Sequence, residues 1–133
     1  MDIAICSIDY KKMLLEYAGA YNPLYIVRDN EIVITKGDKF AIGSFNPYTK
    51  SFATHKIPLL SGDIVYVFSD GYADQFGGLK GKKYMYKQFR ETLLSIKDLP
   101  MEKQRLALDN KIEKWKGSYE QVDDILIIGV QIN

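Results

Sequence analysis

The sequence predicts an α+β domain in which antiparallel strands come first, a helical pair follows, and one more strand completes the sheet. Three observations carry this expectation. The first two-thirds of the chain divide into short apolar runs separated by turn residues. The period then becomes helical: Phe89, Leu93 and Ile96 recur at i, i+4 and i+7, and Leu108, Ile112 and Trp115 repeat the spacing. Beyond them, Ile125-Leu126-Ile127-Ile128-Gly129-Val130 is a strongly apolar strand.

Taken in order, a strand runs from Ile3 to Ile8, and Asp9-Tyr10-Lys11-Lys12 reads as the hairpin loop before Met13–Ala18. Asn22-Pro23 marks a turn, because proline fixes φ and moves its predecessor away from helix. Leu24–Arg28 and Glu31–Lys36 form a hairpin around Asp29-Asn30, whose side chains tolerate turn geometry. Gly37-Asp38 and Gly43 punctuate a loop, Phe52–Ile57 is a strand, and Ser61-Gly62-Asp63 turns into the strand Ile64–Ser69. Ile64-Val65-Tyr66-Val67-Phe68 has no polar alternation, so it belongs at the centre of a sheet covered on both faces. The first helix spans about Lys82 to Lys97; Leu99-Pro100 breaks it, Pro100 opens the second helix, and Gly117 stops it.

Composition narrows the function classes. With 133 residues, 47% apolar and 26% charged, the chain is sized and composed for one globular domain. Basic and acidic residues number 18 and 17, so no global field recruits nucleic acid or an anionic membrane. One cysteine, Cys6, excludes an internal disulfide and fits a reducing, cytoplasmic setting; one histidine, His55, excludes a Cys/His zinc cluster. No apolar run approaches the ~20 residues of a membrane span, and Met1–Ile5 has no basic signal-peptide start.

Chemistry concentrates at the ends of the two most apolar strands. Ser69-Asp70-Gly71 follows Ile64–Phe68, and Asp123-Asp124 precedes Ile125–Val130. If these strands are antiparallel neighbours, Asp70 and Asp123 converge at one sheet end. Converging carboxylates repel unless a cation separates them, and an oxygen-only donor set suits Mg²⁺ or Mn²⁺. Gly71 lets the backbone turn sharply after the first carboxylate. Spacing alone leaves the structural alternatives open, since Ser-Asp-Gly is a common turn tripeptide and paired aspartates often stand at a solvated strand entry.

These motifs, in this order, resemble the SpoIIE-type branch of the metal-dependent protein phosphatase 2C family. Ser69-Asp70-Gly71-Tyr72-Ala73-Asp74-Gln75 looks like the segment whose aspartate binds a catalytic metal, and Gln121-Val122-Asp123-Asp124-Ile125-Leu126 looks like the final motif. Gln75-Phe76-Gly77-Gly78 and the helical pair match between them. Upstream, Tyr17-Ala18-Gly19-Ala20-Tyr21-Asn22-Pro23 is similar to the Ala-Gly-His-x-Pro turn, with Ala20 where histidine is usual, and Lys36–Gly43 is similar to the loop that follows. The resemblance implies residues 1–133 as a single partial domain, the C-terminal part of a phosphatase 2C-like β-sandwich flanked by helices. It further implies Asp70 and Asp123 as metal ligands, with Gly71, Asp74 and Asp124 in supporting positions, and no catalytic side chain beyond the ligands. The complete family site holds two Mn²⁺ or Mg²⁺ ions that activate water for in-line attack on phosphorus, without a phosphoenzyme. Its bridging aspartate lies in a Gly-Asp-[Phe/Tyr] segment; Ser7-Ile8-Asp9-Tyr10 lacks that glycine. Little or no turnover by this chain alone is therefore expected.

The resemblance implies a phosphoserine or phosphothreonine protein substrate and an upstream sensor or regulatory domain as partners; exposed strand edges would suit a second copy of the chain, and the charge balance and short apolar runs speak against nucleic acid and membrane insertion. The rival reading is a non-catalytic dimerisation or phosphoprotein-binding (pseudophosphatase) module, since a truncated sandwich exposes strand edges. His55 reads as an ordinary strand residue and Cys6 as a small buried hydrophobe. Lys80, Lys82, Lys83 and Lys87, beside Tyr84 and Tyr86, read as a solvated helix start, and the ten tyrosines as half-buried strand residues.

Overall fold

The computed structural model describes residues 1–43 and 51–133. Its elements in chain order are β1 (Ile3–Asp9), β2 (Leu14–Ala20), β3 (Leu24–Arg28), β4 (Glu31–Thr35), β5 (His55–Pro58), β6 (Ile64–Phe68), α1 (Gly71–Asp74), β7 (Phe76–Gly77), β8 (Lys82–Lys83), α2 (Tyr86–Ile96), α3 (Met101–Lys116) and β9 (Ile127–Gln131). One antiparallel sheet has the order β1-β2-β5 and a second has the order β4-β3-β6-β9, while β7 and β8 form a small hairpin. Among the described residues no helix is long and apolar enough to cross a membrane.

Side-chain alternation along the central strands builds two cores. Leu24 and Ile26 of β3 and Val65 of β6 join Leu15 and Tyr17 of β2 between the sheets. Tyr25 and Val27 of β3, with Ile64, Tyr66 and Phe68 of β6, point the other way, onto Phe89, Leu93 and Ile96 of α2 and Leu108 and Ile112 of α3. The molecule is thus a sheet, a second sheet and a helical layer. Because β6 is covered on both faces and paired on both edges, every position in it is apolar.

Several expectations shift. The helix expected from Lys82 is α2 and begins at Tyr86, because Gly81 (φ 59°) closes the β7–β8 hairpin and Met85 sits at φ 76°, a conformation no helix continues through; the short α1 ahead of it was not expected. The Met85 N–H donates instead to Ala73 O, at 2.8 Å. Pro100 is the residue before α3 rather than its first, and its carbonyl accepts from Gln104 N–H. Phe52 lies outside β5 and stacks on Phe40, at 4.3 Å between ring centroids. The last strand runs from Ile127 to Gln131 rather than from Ile125, and it is an edge strand with Ile128 exposed. It is therefore not one of the two most buried strands. Cys6 is only half-buried.

The tyrosines are also deeper than expected. Tyr17, Tyr25, Tyr66, Tyr72 and Tyr84 are buried, and each hydroxyl finds a partner: Asn22 O, Arg90, Gln104, Leu108 O and Thr92. Each partner offsets the cost of placing a phenol in the core. Gln104, itself buried, accepts from Tyr66 and donates to Leu99 O, so one amide ties the sheet to the α2–α3 connection.

A buried ion pair secures the turn into β6. Arg28 Nε and Nη2 donate to the two oxygens of Asp63, at 2.9 and 2.6 Å, and Leu60 N–H adds a third bond. Burial pushes the Asp63 carboxyl up, but these hydrogen bonds and the Arg28 charge outweigh it and hold the group below the ordinary carboxylate range. A depressed carboxyl contributes stability above its unfolded value of about 3.9, and that contribution is lost as pH falls through the folded value. Because Arg28 is partly exposed, Arg28→Met should cost about 2 kcal/mol at neutral pH. Urea denaturation should show the gap from wild type narrowing below pH of about 4; a gap independent of pH would contradict the assignment.

Candidate metal centre

The register of β6 against β9 builds the site. Phe68 pairs with Ile127, so the residues after β6 lie beside those before β9. The ladder then passes from backbone to side chain at Ser69. Its N–H donates to Leu126 O at 3.0 Å, its hydroxyl donates to Asp124 O at 2.7 Å, and Ser69 Oγ in turn accepts from Leu126 N–H at 3.0 Å. This serine clasp holds the Asp123-Asp124 segment against Asp70. Sequence reasoning assigned Ser69 no role; the signal was in the tripeptide itself, since a hydroxyl at the strand exit can bond the neighbouring chain where the ladder ends.

A second strap comes from Gln75, which is fully buried. Its amide donates to Phe76 O and to Glu120 O, while its backbone carbonyl accepts from Trp115 Nε1 at 2.9 Å. The end of α3 and the approach to Asp123 are thereby fastened to the exit of α1.

Gly71 opens α1 in a helical conformation, so the expected sharp turn does not explain it. Close approach does. A Cβ built on Gly71 would stand 2.2 Å from Asp124 O, so only glycine admits the two backbones at this spacing.

The structure brings Asp70 and Asp123 together. Burial, then a hydrogen-bonding contact with the Asp123 carboxyl, then the charges of Asp123 and Asp74 push the Asp70 carboxyl above its ordinary range. Asp123 is exposed and receives Asp124 N–H on Oδ1 at 2.8 Å, which fixes its rotamer. Asp74 sits one helical turn beyond Asp70 and bonds Lys83 Nζ at 3.3 Å. Asp124 is exposed and enters the site through its backbone carbonyl. Two ionised carboxylates here would repel; a proton on one of them relieves this, and a hard divalent cation would relieve it as well. Among the described residues, no group of three or more Asp, Glu, His or Cys side chains is placed to hold a metal ion. The residues present therefore fit part of one ion's coordination shell, and they do not fit a two-ion site by themselves.

This arrangement of sheets and helices is that of PP2C-type phosphatase domains. The chain belongs to the SpoIIE family (stage II sporulation protein E), whose family model matches residues 1–133. No curated protein matches its sequence. Among solved structures, the SiaA-PP2C domain of Pseudomonas aeruginosa superposes with a TM-score of 0.90 at 27% identity, covering 99% of this chain and 52% of that one. The phosphatase domain of the cell fate determinant SpoIIE from Bacillus subtilis gives 0.66 at 18% identity, covering 99% of this chain and 58% of that one. The RsbU and RsbW domains of a Mycobacterium tuberculosis protein give 0.76 at 18% identity, covering 98% and 35%. This chain thus spans only about half the length of the first two structures it resembles.

Gly71→Ala tests the close approach. The added methyl must displace the Asp124 backbone, so the variant should lose about 2 kcal/mol by urea denaturation. An unchanged midpoint would show that the two backbones are not held together as described.

Proposed function

We propose that this chain is the C-terminal part of a metal-dependent serine/threonine phosphoprotein phosphatase domain of the SpoIIE type, acting in bacterial signal transduction in the cytoplasm. The observation that carries the reading is the convergence of the Asp70 and Asp123 carboxyls at the β6–β9 end. Family membership and the fold of the SiaA-PP2C domain support it. Asp70 and Asp123 would hold one Mn²⁺ or Mg²⁺. One solved structure of the Bacillus subtilis domain is described as Mn presoaked, which accords with the choice of ion. Such an ion supplies polarisation of water and neutralisation of phosphoryl oxygens, the two requirements of phosphomonoester hydrolysis. The protein's own part is positioning. Ser69 and Gln75 fix the Asp123 segment, Gly71 permits its approach, and the Lys83 pair keeps Asp74 beside the site as a fixed negative charge.

Two carboxylates are too few for a two-ion centre, so the remaining ligands come from chain outside residues 1–133, and these residues alone turn over little or no substrate. A regulatory domain on the same polypeptide is consistent with the Bacillus subtilis structure that includes a fragment of its regulatory domain. The second reading, a dimerisation or phosphoprotein-binding module without catalysis, is favoured by one observation. Between β1 and β9 lies an apolar cleft of 390 Å³, lined by Cys6, Ile8, Val67 and Ile128 among others, with a strand edge on either side.

A chimera separates the two readings. Residues 1–133 replace the matching region of the SiaA-PP2C domain, and Mn²⁺-dependent hydrolysis of p-nitrophenyl phosphate is measured. The phosphatase reading expects turnover that falls at least about 100-fold in Asp70→Asn and in Asp123→Asn. A folded but inactive chimera would favour the non-catalytic module, and turnover undiminished in both variants would contradict the roles given to Asp70 and Asp123.

A further inference from the structure

The near-zero net charge conceals a strongly basic concavity. Lys82 and Lys83 of β8, Lys87 of α2 and Lys111 of α3 line one groove of 670 Å³ together with Glu91, so four cations face a single anion there. The whole chain carries a net charge of only +1. These lysines come from three elements brought together by the β7–β8 hairpin, not from one solvated helix start. Tyr84 and Trp115 also line the groove, and their rings meet edge to face at 5.4 Å between centroids. Trp115 is held by its bond to Gln75 O, and Gly77 and Gly78 pack directly against it. The groove therefore has a rigid floor.

Among the described residues, Lys82, Lys87 and Lys111 form no ion pair, unlike Lys83, which bonds Asp74. Through that bond the groove's rim reaches the last residue of α1, the helix that begins directly after Asp70. The exposed Met85 adds an apolar contact within the groove, and Leu79 stands fully exposed near the tip of the adjoining hairpin. Unpaired cations from separate elements, a fixed aromatic floor and proximity to the candidate centre are the features of a docking groove for a negatively charged chain.

We infer that this groove binds an acidic segment of the protein substrate and delivers its phosphorylated residue toward Asp70 and Asp123. The substrate part of this inference rests on the phosphatase reading; the acidic ligand does not. Local positive charge raises the on-rate and the specificity for an acidic partner, and added salt screens it. Small phosphate esters have no such segment, so the groove distinguishes a protein substrate from them.

The test is fluorescence anisotropy of the 133-residue chain with a fluorescein-labelled oligo-glutamate peptide at low salt. Binding should weaken about tenfold or more in Lys82→Glu/Lys87→Glu/Lys111→Glu, and likewise on adding salt. The milder Lys82→Gln/Lys87→Gln/Lys111→Gln should show a smaller loss in the same direction, with circular dichroism melting confirming the fold of each variant. Lys11→Glu/Lys12→Glu, in the β1–β2 turn, should bind as wild type. Absence of binding, equal binding by the groove variants, or an equal loss in the β1–β2 turn variant would overturn the inference. Tighter binding of a single-stranded oligonucleotide than of the peptide would overturn it in favour of a nucleic-acid surface. Peptide binding with an inactive chimera would uphold the groove while contradicting the phosphatase reading.

Discussion

The antiparallel pairing of β6 with β9 is the constraint on which the rest of the structure depends. It puts Phe68 opposite Ile127, and a shift of one residue would turn each side chain of β9 to the wrong face. Ile127 and Gly129 would then leave the helical layer, and Val130 would leave the space between the sheets. The same register sets the distance between two chain segments that are far apart in sequence. Ser69 extends it past the last ladder bond, and Gln75 fastens the approach from α3. The Asp70–Asp123 juxtaposition is a consequence of the ladder, not of local turn chemistry.

That juxtaposition is costly in the protein alone. Asp70 is partly buried beside Asp123 and close to Asp74, and its carboxyl is pushed up as a result. The fold tolerates the cost because β6 is deeply packed and the site's backbone is bonded on both sides. Elsewhere, buried polarity is balanced within the chain: Asp63 has Arg28, Gln104 has Tyr66 and Leu99 O, and the buried tyrosines have their partners. Among the described residues no buried side-chain nitrogen or oxygen lacks a hydrogen-bond partner. Two clusters of like charge stand out against this balance: the Asp70–Asp123 pair, and the lysine groove that adjoins it through Asp74 and Lys83. One is negative and suits a cation; the other is positive and suits an acidic chain.

Much of this was legible in the sequence, for identifiable reasons. The unbroken apolar run Ile64–Phe68 announced a central strand because both of its faces are buried, and Phe89, Leu93 and Ile96 announced a helix because they form one stripe. The order of Ser-Asp-Gly and Asp-Asp around those elements marked the two carboxylates that the structure brings together. What escaped was set by tertiary contacts. Nothing local distinguishes Lys82-Lys83 as a strand from a helix start; Gly81, the Met85–Ala73 bond and the burial of Tyr84 decide it. The strong apolar character of Ile125–Val130 suggested burial, yet β9 is an edge, because an unpaired edge leaves no mark on side-chain composition. Lys111 joins the basic groove from α3, well away in sequence from the other lysines, so the cluster was invisible before the fold.

In the proposed function, the β6–β9 register makes Asp70 and Asp123 a single cation-binding unit. Titration of the 133-residue chain with Mn²⁺, followed by electron paramagnetic resonance of the free ion, tests it most directly. The expected result is one weak site per chain that disappears in Asp70→Asn and in Asp123→Asn, while circular dichroism shows both variants folded. Binding that persists in either variant, or that is absent from the wild-type chain at every Mn²⁺ concentration, would contradict it.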